Sequence, residues 1–337
     1  GSYMFRNRII NGDMRIDQRN GGVSVTATAS TTTYVTDRFS VIQTQSSKFS
    51  AQQNAGSVTP PAGFSNYLGI TSLSAYTTIS SDLFRAFHPI EGYNIADFAW
   101  GTANAKSITL SFWVRSSLTG QFGGCLQNSS NNRAYSFTYT INSANTWEQK
   151  SITIAGETTG SWNATNGVGL AINWDLGSGS SKLITPGSWQ AVDANGAPGC
   201  VSVVATNGAT WYITGVQLET GSIATPFERR PYGMELAFCQ RYYFQSNRCT
   251  FFSPGPTGSQ TYFLGNYPFP TTMRATPTMT FERPNNVVSG QWDIWGGTAV
   301  SISSADIYSY MLAGVVVSAG QTTDNAFFGK FYASAEL

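Results

Sequence analysis

The residues able to do chemistry in this chain of 337 are few and poorly matched to one another. Its one histidine, His88, is followed by Pro89 and has no nucleophile elbow or partner motif near it. Serine or cysteine nucleophiles activated by histidine are therefore not expected. Neither a metalloprotease helix motif, a phosphate-binding loop nor a dinucleotide fingerprint occurs. Carboxylates could work in pairs as acid and base on a glycosidic bond. The candidates are Glu91, Asp97, Glu148, Glu157, Asp175, Asp193 and Glu219. Asp175 follows the apolar run AINW and could stand at a cleft mouth beside Trp174, although strand-end aspartates commonly satisfy turn amides. No catalytic residue is assigned.

Aromatic rings are the remaining chemistry, because a flat ring face stacks on the C–H face of a sugar. The chain holds 9 Trp, 16 Tyr and 21 Phe, a 14% aromatic share that a set of ordinary cores would also explain. Trp113, Trp147, Trp162, Trp189 and Trp211 fall in strand-like phrases and are assigned to packing. Trp292 and Trp295 flank Asp293 in the Gly-bounded phrase GQWDIWGG. Tyr308 and Tyr310, in ADIYSYML, share a face if that segment is extended. Loops on a rigid scaffold carry most ligand contacts. Trp292, Asp293, Trp295, Tyr308 and Tyr310 are therefore the expected ligand-binding residues.

The elements that position them read as strands. Short β-branched or alternating runs recur at 107–114, 135–141, 150–154, 168–174 and 210–216, punctuated by Gly, Ser, Asn and Pro. In SITLSFWV, Ile108, Leu110, Phe112 and Val114 share one face. Further strands are expected at 240–252, 260–263, 278–281, 299–303, 311–317 and 325–333. Two short helices are expected, at 80–87 and at 232–240, the second starting just after Pro231. No fixed-period repeat argues for a solenoid. The fold class is all-β: two antiparallel, jelly-roll-like β-sandwich domains at 4–227 and 228–337, joined by a Pro-rich crossing. Pro226 and Pro231 bracket Glu228, Arg229 and Arg230 there, so the crossing should be extended and stiff.

Composition narrows the partners. Charged residues are 11% of the chain, under half the ~25% usual in soluble domains. With 19 basic and 18 acidic residues there is no cationic excess to neutralise phosphates, so nucleic acid is not an expected partner. No apolar run reaches the ~18 residues that span a bilayer, and membrane insertion is not expected. The polar, basic start reads as lacking a secretion signal. Cys125, Cys200, Cys239 and Cys249 have no metal or redox spacing and read as free thiols of a protein assembled in a reducing compartment.

Three phrases carry a family resemblance: NRIINGDMRIDQRNGG near the start, GVQLETGSIATPFERRPYGMELAFCQRYY in the middle, and FYASAEL at the end. With PFPTTMRATPTMTF they resemble bacteriophage tail-fibre and receptor-binding proteins, over nearly the whole chain. NGDM, SITLSFWVRSS, TWEQKSITI, GLAINWDLG and WYITGVQLE also resemble the jelly-roll domains of carbohydrate-binding modules. The resemblance implies a tail fibre, assembled in the host cytoplasm and carried on the virion, that adheres to a host-surface glycan or protein without catalysis. It further implies a homotrimer and contact with other virion tail proteins. Modules of this kind often share a structural calcium between their first and last strands, where Asn11, Asp13 and Glu219 stand. Arg15 occupies a place often acidic in that family, so Asp13 is expected to cap a turn, and no metal or cofactor is expected. Two rival readings stay open: a structural virion part such as an adaptor or head decoration, and a surface-polysaccharide glycosidase.

Overall fold

A computed structural model describes residues 5–247, 249–252, 260–283, 290–294, 299–318 and 326–337. The chain divides into two compact units, Gly1–Arg230 and Pro231–Glu336. Both are built from antiparallel strands, and the fold class is all-β.

The strands of the first unit, in chain order, are β1 (Val25–Thr26), β2 (Thr33–Thr36), β3 (Phe39–Gln43), β4 (Phe49–Gln53), β5 (Leu68–Ser72), β6 (Phe84–Glu91) and β7 (Ile108–Ser116). They continue as β8 (Gly120–Gln127), β9 (Ala134–Ile141), β10 (Glu148–Ile154), β11 (Val168–Asp175), β12 (Trp189–Gln190) and β13 (Thr210–Thr220). They form a jelly-roll-type sandwich of a six-stranded sheet, β1-β4-β5-β13-β7-β10, and a seven-stranded sheet, β12-β9-β8-β11-β6-β3-β2. Alternation decides what enters the core. Ile108, Leu110, Phe112 and Val114 of β7 are all fully buried, as are Leu170, Ile172 and Trp174 of β11. Burying side chains of this size stabilises by about 1.5–3 kcal/mol each, which is what holds the two sheets face to face. The edge strand β10 opens with the polar run Glu148, Gln149, Lys150 and Ser151, a composition that discourages further strand pairing.

The helix expected at 80–87 does not form. Phe84–Glu91 is a strand, with Phe84, Ala86 and Ile90 turned into the core and Asp82 accepting from the Ile79 amide to make the preceding turn. Pairing with β3 on one side and β11 on the other decides the matter over a local helical pattern. The second expected helix is present as α1 (Tyr232–Gln240) with Pro231 at its N-cap. It takes the first residue of the strand expected at 240–252, which resumes as two shorter strands.

The two phrases that carry most of the family resemblance form one structural lock. Asn7 accepts from the Leu218 amide and donates to the Val216 carbonyl. The Arg8 amide donates to Leu218, and the Val216 amide to Gly12. Gly12 lies so close to the Val216 carbonyl that a Cβ would collide with it. From the crossing, Glu228 accepts from the amides of Phe5 and Asn7 at 2.6 and 2.8 Å, while buried Arg230 donates to the carbonyls of Asn7 and Ile9. Gln217 accepts from the Glu228 amide at 2.7 Å, and Glu219 takes the amide and hydroxyl of Thr225. The crossing is therefore stiff because polar groups hold it to the first unit, with Pro226 removing one competing donor.

The second unit contains α1 and the strands β14 (Tyr243–Gln245), β15 (Cys249–Phe252), β16 (Gln260–Pro268), β17 (Thr278–Glu282), β18 (Gln291–Ile294), β19 (Ala299–Ile307), β20 (Met311–Ser318) and β21 (Ala326–Ser334). Their order is β14-β21-β15-β16-β20-β19-β18, and β18 pairs back onto β21, so the sheet closes on itself. Closure removes free edges from that ring. Phe244, Phe281, Trp292, Leu312 and Phe331 lie in the core of this unit. All four cysteines are free thiols, and burial pushes Cys200 up to about 11 and Cys249 up to about 12.

Candidate ligand-binding surfaces

Tyr308 and Tyr310 stand on the turn between β19 and β20, not on a strand. The Tyr308 amide donates to the Met311 carbonyl at 2.9 Å, closing the turn. Two donors from the preceding loop fix it in place: Phe269 N–H reaches the Tyr310 carbonyl at 2.9 Å, and Met273 N–H the Ser309 carbonyl at 2.7 Å. Both rings are 50% exposed. Their centroids are 5.6 Å apart and their planes 22° from parallel. Stacking on each other holds the rings while leaving outer faces and hydroxyls to solvent. The arrangement suits an apolar sugar face with hydroxyl partners at its rim.

Trp292 and Asp293 require a correction. Trp292 is fully buried, edge-on to Phe281 at 5.5 Å, and its indole N–H donates to the Lys330 carbonyl at 3.1 Å. The slot exists because residue 329 is glycine: a Cβ there would collide with the indole. Asp293 is buried and paired with Arg283. Neither side chain offers a surface to a ligand, and both belong to the packing of the second unit. Trp295 lies outside the described residues.

One surface was missed by the sequence reading. On the outer face of the seven-stranded sheet, the ladder aligns Tyr34, Ser40, Phe87, Asn173, Cys125 and Ser136 in one row. Arg85 lies in the next row, between Ile42 and Asp175. Its guanidinium rests over the Phe87 ring at 4.8 Å. Toward β8 and β9 the face is covered, with Ala194 and Ile184 packed on Cys125 and Ala134. Toward β2 and β3 it keeps partly exposed Tyr34, Ile42, Arg85 and Phe87. The signal was present in FRAFHPIE, whose alternation turns Arg85 and Phe87 away from the core face of Phe84 and Ala86.

The carboxylates are occupied by neighbours. Asp97 pairs with Arg8 at 2.7 Å, Glu148 with Lys150 at 2.6 Å, Asp193 with Lys182 at 2.7 Å, and Glu157 with Arg133. Asp175 accepts from the amides of Gly177 and Ser178 and from Asn195, as strand-end aspartates do. Burial pushes its carboxyl above the usual range. Bonds to Lys150, to the amides of Asn142 and Ser143 and to the Asn142 side chain hold Glu148 at about 2, outweighing its desolvation. At the positions weighed for calcium, Asn11 donates to the carbonyls of Ile16 and Asp37 and accepts from the Ile16 amide. Asp13 faces Arg15 at 3.2 Å, and Glu219 is taken up by Thr225 and Gln217. Among the described residues, no group of three His, Cys, Asp or Glu side chains could hold a metal. His88 is buried against Phe39 with ring centroids 4.4 Å apart, and burial pushes its pKa well below the ordinary histidine value.

No protein-family model and no curated protein sequence matches the chain. Among solved structures, similarity extends to the enzymatically active domain of tailspike protein 4 of bacteriophage CBA120, at 13% identity over 64% of this chain and TM-score 0.33. The match spans only 22% of that tailspike chain. A putative sugar binding protein from Bacteroides thetaiotaomicron matches at 10% identity, covering 64% of this chain and 100% of that one, TM-score 0.37. A family 11 carbohydrate-binding module from Clostridium thermocellum, in complex with a β-1,3-1,4-mixed-linked tetrasaccharide, matches at 10% identity over 60% and 98%, TM-score 0.30.

Proposed function

We propose that the chain is the receptor-binding part of a phage tail fibre, adhering to a host-surface saccharide without chemistry. The observation that carries this is the Tyr308–Tyr310 pair, two half-exposed rings fixed on a turn that backbone donors hold. Two exposed rings stacked side by side on a braced turn support contact with something outside the chain. The phrases resembling tail fibres support the virion setting, and carboxylates committed to cations or turn amides support adhesion over hydrolysis.

Replacing Tyr308 and Tyr310 together by Ala should lower binding to host cells at least about tenfold, the scale of a modest hot spot. Melting of the protein should shift little, since exposed substitutions usually stay within about 0.5 kcal/mol. Full binding by the double variant would place the contact elsewhere. The rival reading, a structural virion part, draws on the burial of Trp292 and Asp293; it gains if the unaltered protein binds no host cell at all.

A trimer accords with the tail-fibre resemblance and with a surface carrying few charges to desolvate. Light scattering at micromolar concentration should return about three times the 36.3 kDa chain mass. A monomer throughout that range would refute it.

A further inference from the structure

We infer that the open half of the outer face of the seven-stranded sheet binds an acidic saccharide, with the guanidinium of Arg85 receiving the sugar carboxylate. The first observation is a cation without a direct ion pair. Arg85 is partly buried, and among the described residues no carboxylate lies within ion-pair distance of it. Asp175 stands directly across the ladder, but its carboxylate is turned to the amides of Gly177 and Ser178 and to Asn195. Asp193 bears on Arg85 electrostatically but makes no ion pair with it, being held by Lys182 at 2.7 Å and by Gln127 at 2.8 Å. Arg85 reaches only the Gln127 amide oxygen, at a long 3.4 Å, and its Nε has no hydrogen-bond partner. Buried charges are ordinarily paired, because desolvation of an unpaired cation is costly. A guanidinium left this way in a folded protein points to an anion supplied from outside, and its fork matches a carboxylate.

The second observation concerns the floor beneath it. Asn173 is fully buried and spends its amide N–H on Gln127 at 2.9 Å, leaving Oδ1 without a partner. Ser40, in the same row one strand beyond Phe87, is also fully buried with an unpartnered hydroxyl. Buried polar atoms ordinarily have partners, and two in one row of one face make the floor of this half of the sheet polar and able to accept further bonds. Tyr34 and Phe87 alternate with them along that row, with Arg19 over the Tyr34 ring at 4.4 Å and Arg85 over the Phe87 ring, so the rings offer apolar edges beside cations. Cation, acceptor, hydroxyl and aromatic rings together describe a sugar bearing a carboxylate rather than a neutral glycan or a free phosphate. The inference stands independently of the Tyr308–Tyr310 site, which belongs to the other unit.

The test titrates the whole chain with a hexuronic-acid oligosaccharide, its neutral methyl ester, and inorganic phosphate, by calorimetry or by NMR shifts. The acid form is expected to bind at least tenfold tighter than its ester, with phosphate weaker still. Arg85→Met should remove that preference. Asn173→Asp is the second variant: it sets a negative charge on the floor of the proposed site, so it should weaken the acid oligosaccharide at least tenfold. The Tyr308/Tyr310 double variant should leave this binding unchanged. Equal binding of acid and ester, phosphate binding as tightly as the oligosaccharide, or unaltered binding by a folded Arg85→Met or Asn173→Asp protein would each overturn the inference, as would no binding of any probe.

Discussion

Trp292→Ala should unfold the second unit, whatever its effect on adhesion. The indole is fully buried, packs edge-on to Phe281, and donates to the Lys330 carbonyl. Truncating a buried tryptophan costs about 3–5 kcal/mol from lost transfer energy and the cavity left behind. For a unit of roughly a hundred residues that is a drop of more than about 12 °C in melting temperature. The Lys330 carbonyl would also lose its donor inside the core. Trp292→Phe keeps most of the volume and should lose a smaller part, chiefly the hydrogen bond. Differential scanning calorimetry checks both. A Trp292→Ala protein that melts normally but no longer binds cells would mean that the ring meets a ligand after all.

The second large effect is expected at Arg230. Its side chain is 7% exposed, donates to the carbonyls of Asn7 and Ile9, and lies 3.6 Å from Glu228. Arg230→Met keeps the length but leaves two buried carbonyls short of donors and Glu228 without its cation. Removing one partner of a buried pair typically costs about 3–5 kcal/mol. The loss should appear in the melting of the first unit, with faster hydrogen exchange at the amides of Arg8 and Val216, which cross between the two locked phrases. Arg230→Lys should restore little, because a single ammonium cannot span two carbonyls as the planar fork does. Normal melting of Arg230→Met would show that Asn7 and Glu228 suffice to hold the segment.

Much of the strand framework was legible because alternation is a local signal. SITLSFWV, YSFTYTI and VGLAINW all became strands within two residues of their expected ends, with the apolar face inward. SSDLFRAF misled because a short apolar run fits either period, and only its neighbours in the sheet, 45 and 88 residues away at Val41 and Trp174 across from Ala86, decide between them. The site was less legible for the same reason at longer range. Trp292 read as a loop aromatic between glycines, whereas the glycine that makes its slot is Gly329, on a different strand. Tyr308 and Tyr310 were picked for aromatic type, which is local, but on an extended segment; the turn that stacks them depends on donors from Phe269 and Met273. Arg85 was not singled out, since its lack of a direct ion pair depends on Asp175 and Asp193 having other partners on distant segments of chain.

The lock between residues 5–16 and the crossing has a consequence for how the protein is made. Arg230 and Asn7 are 223 positions apart in sequence, yet each completes the other's bonding. At ribosomal speeds of about 5–20 residues per second, the first phrase waits roughly 10–45 s before its partner leaves the exit tunnel. Through that interval the β13 carbonyls at Val216 and Leu218, once synthesised, and the amides at Phe5, Asn7 and Arg8 remain open to any chain that presents matching groups. Several nascent copies on one messenger would present them.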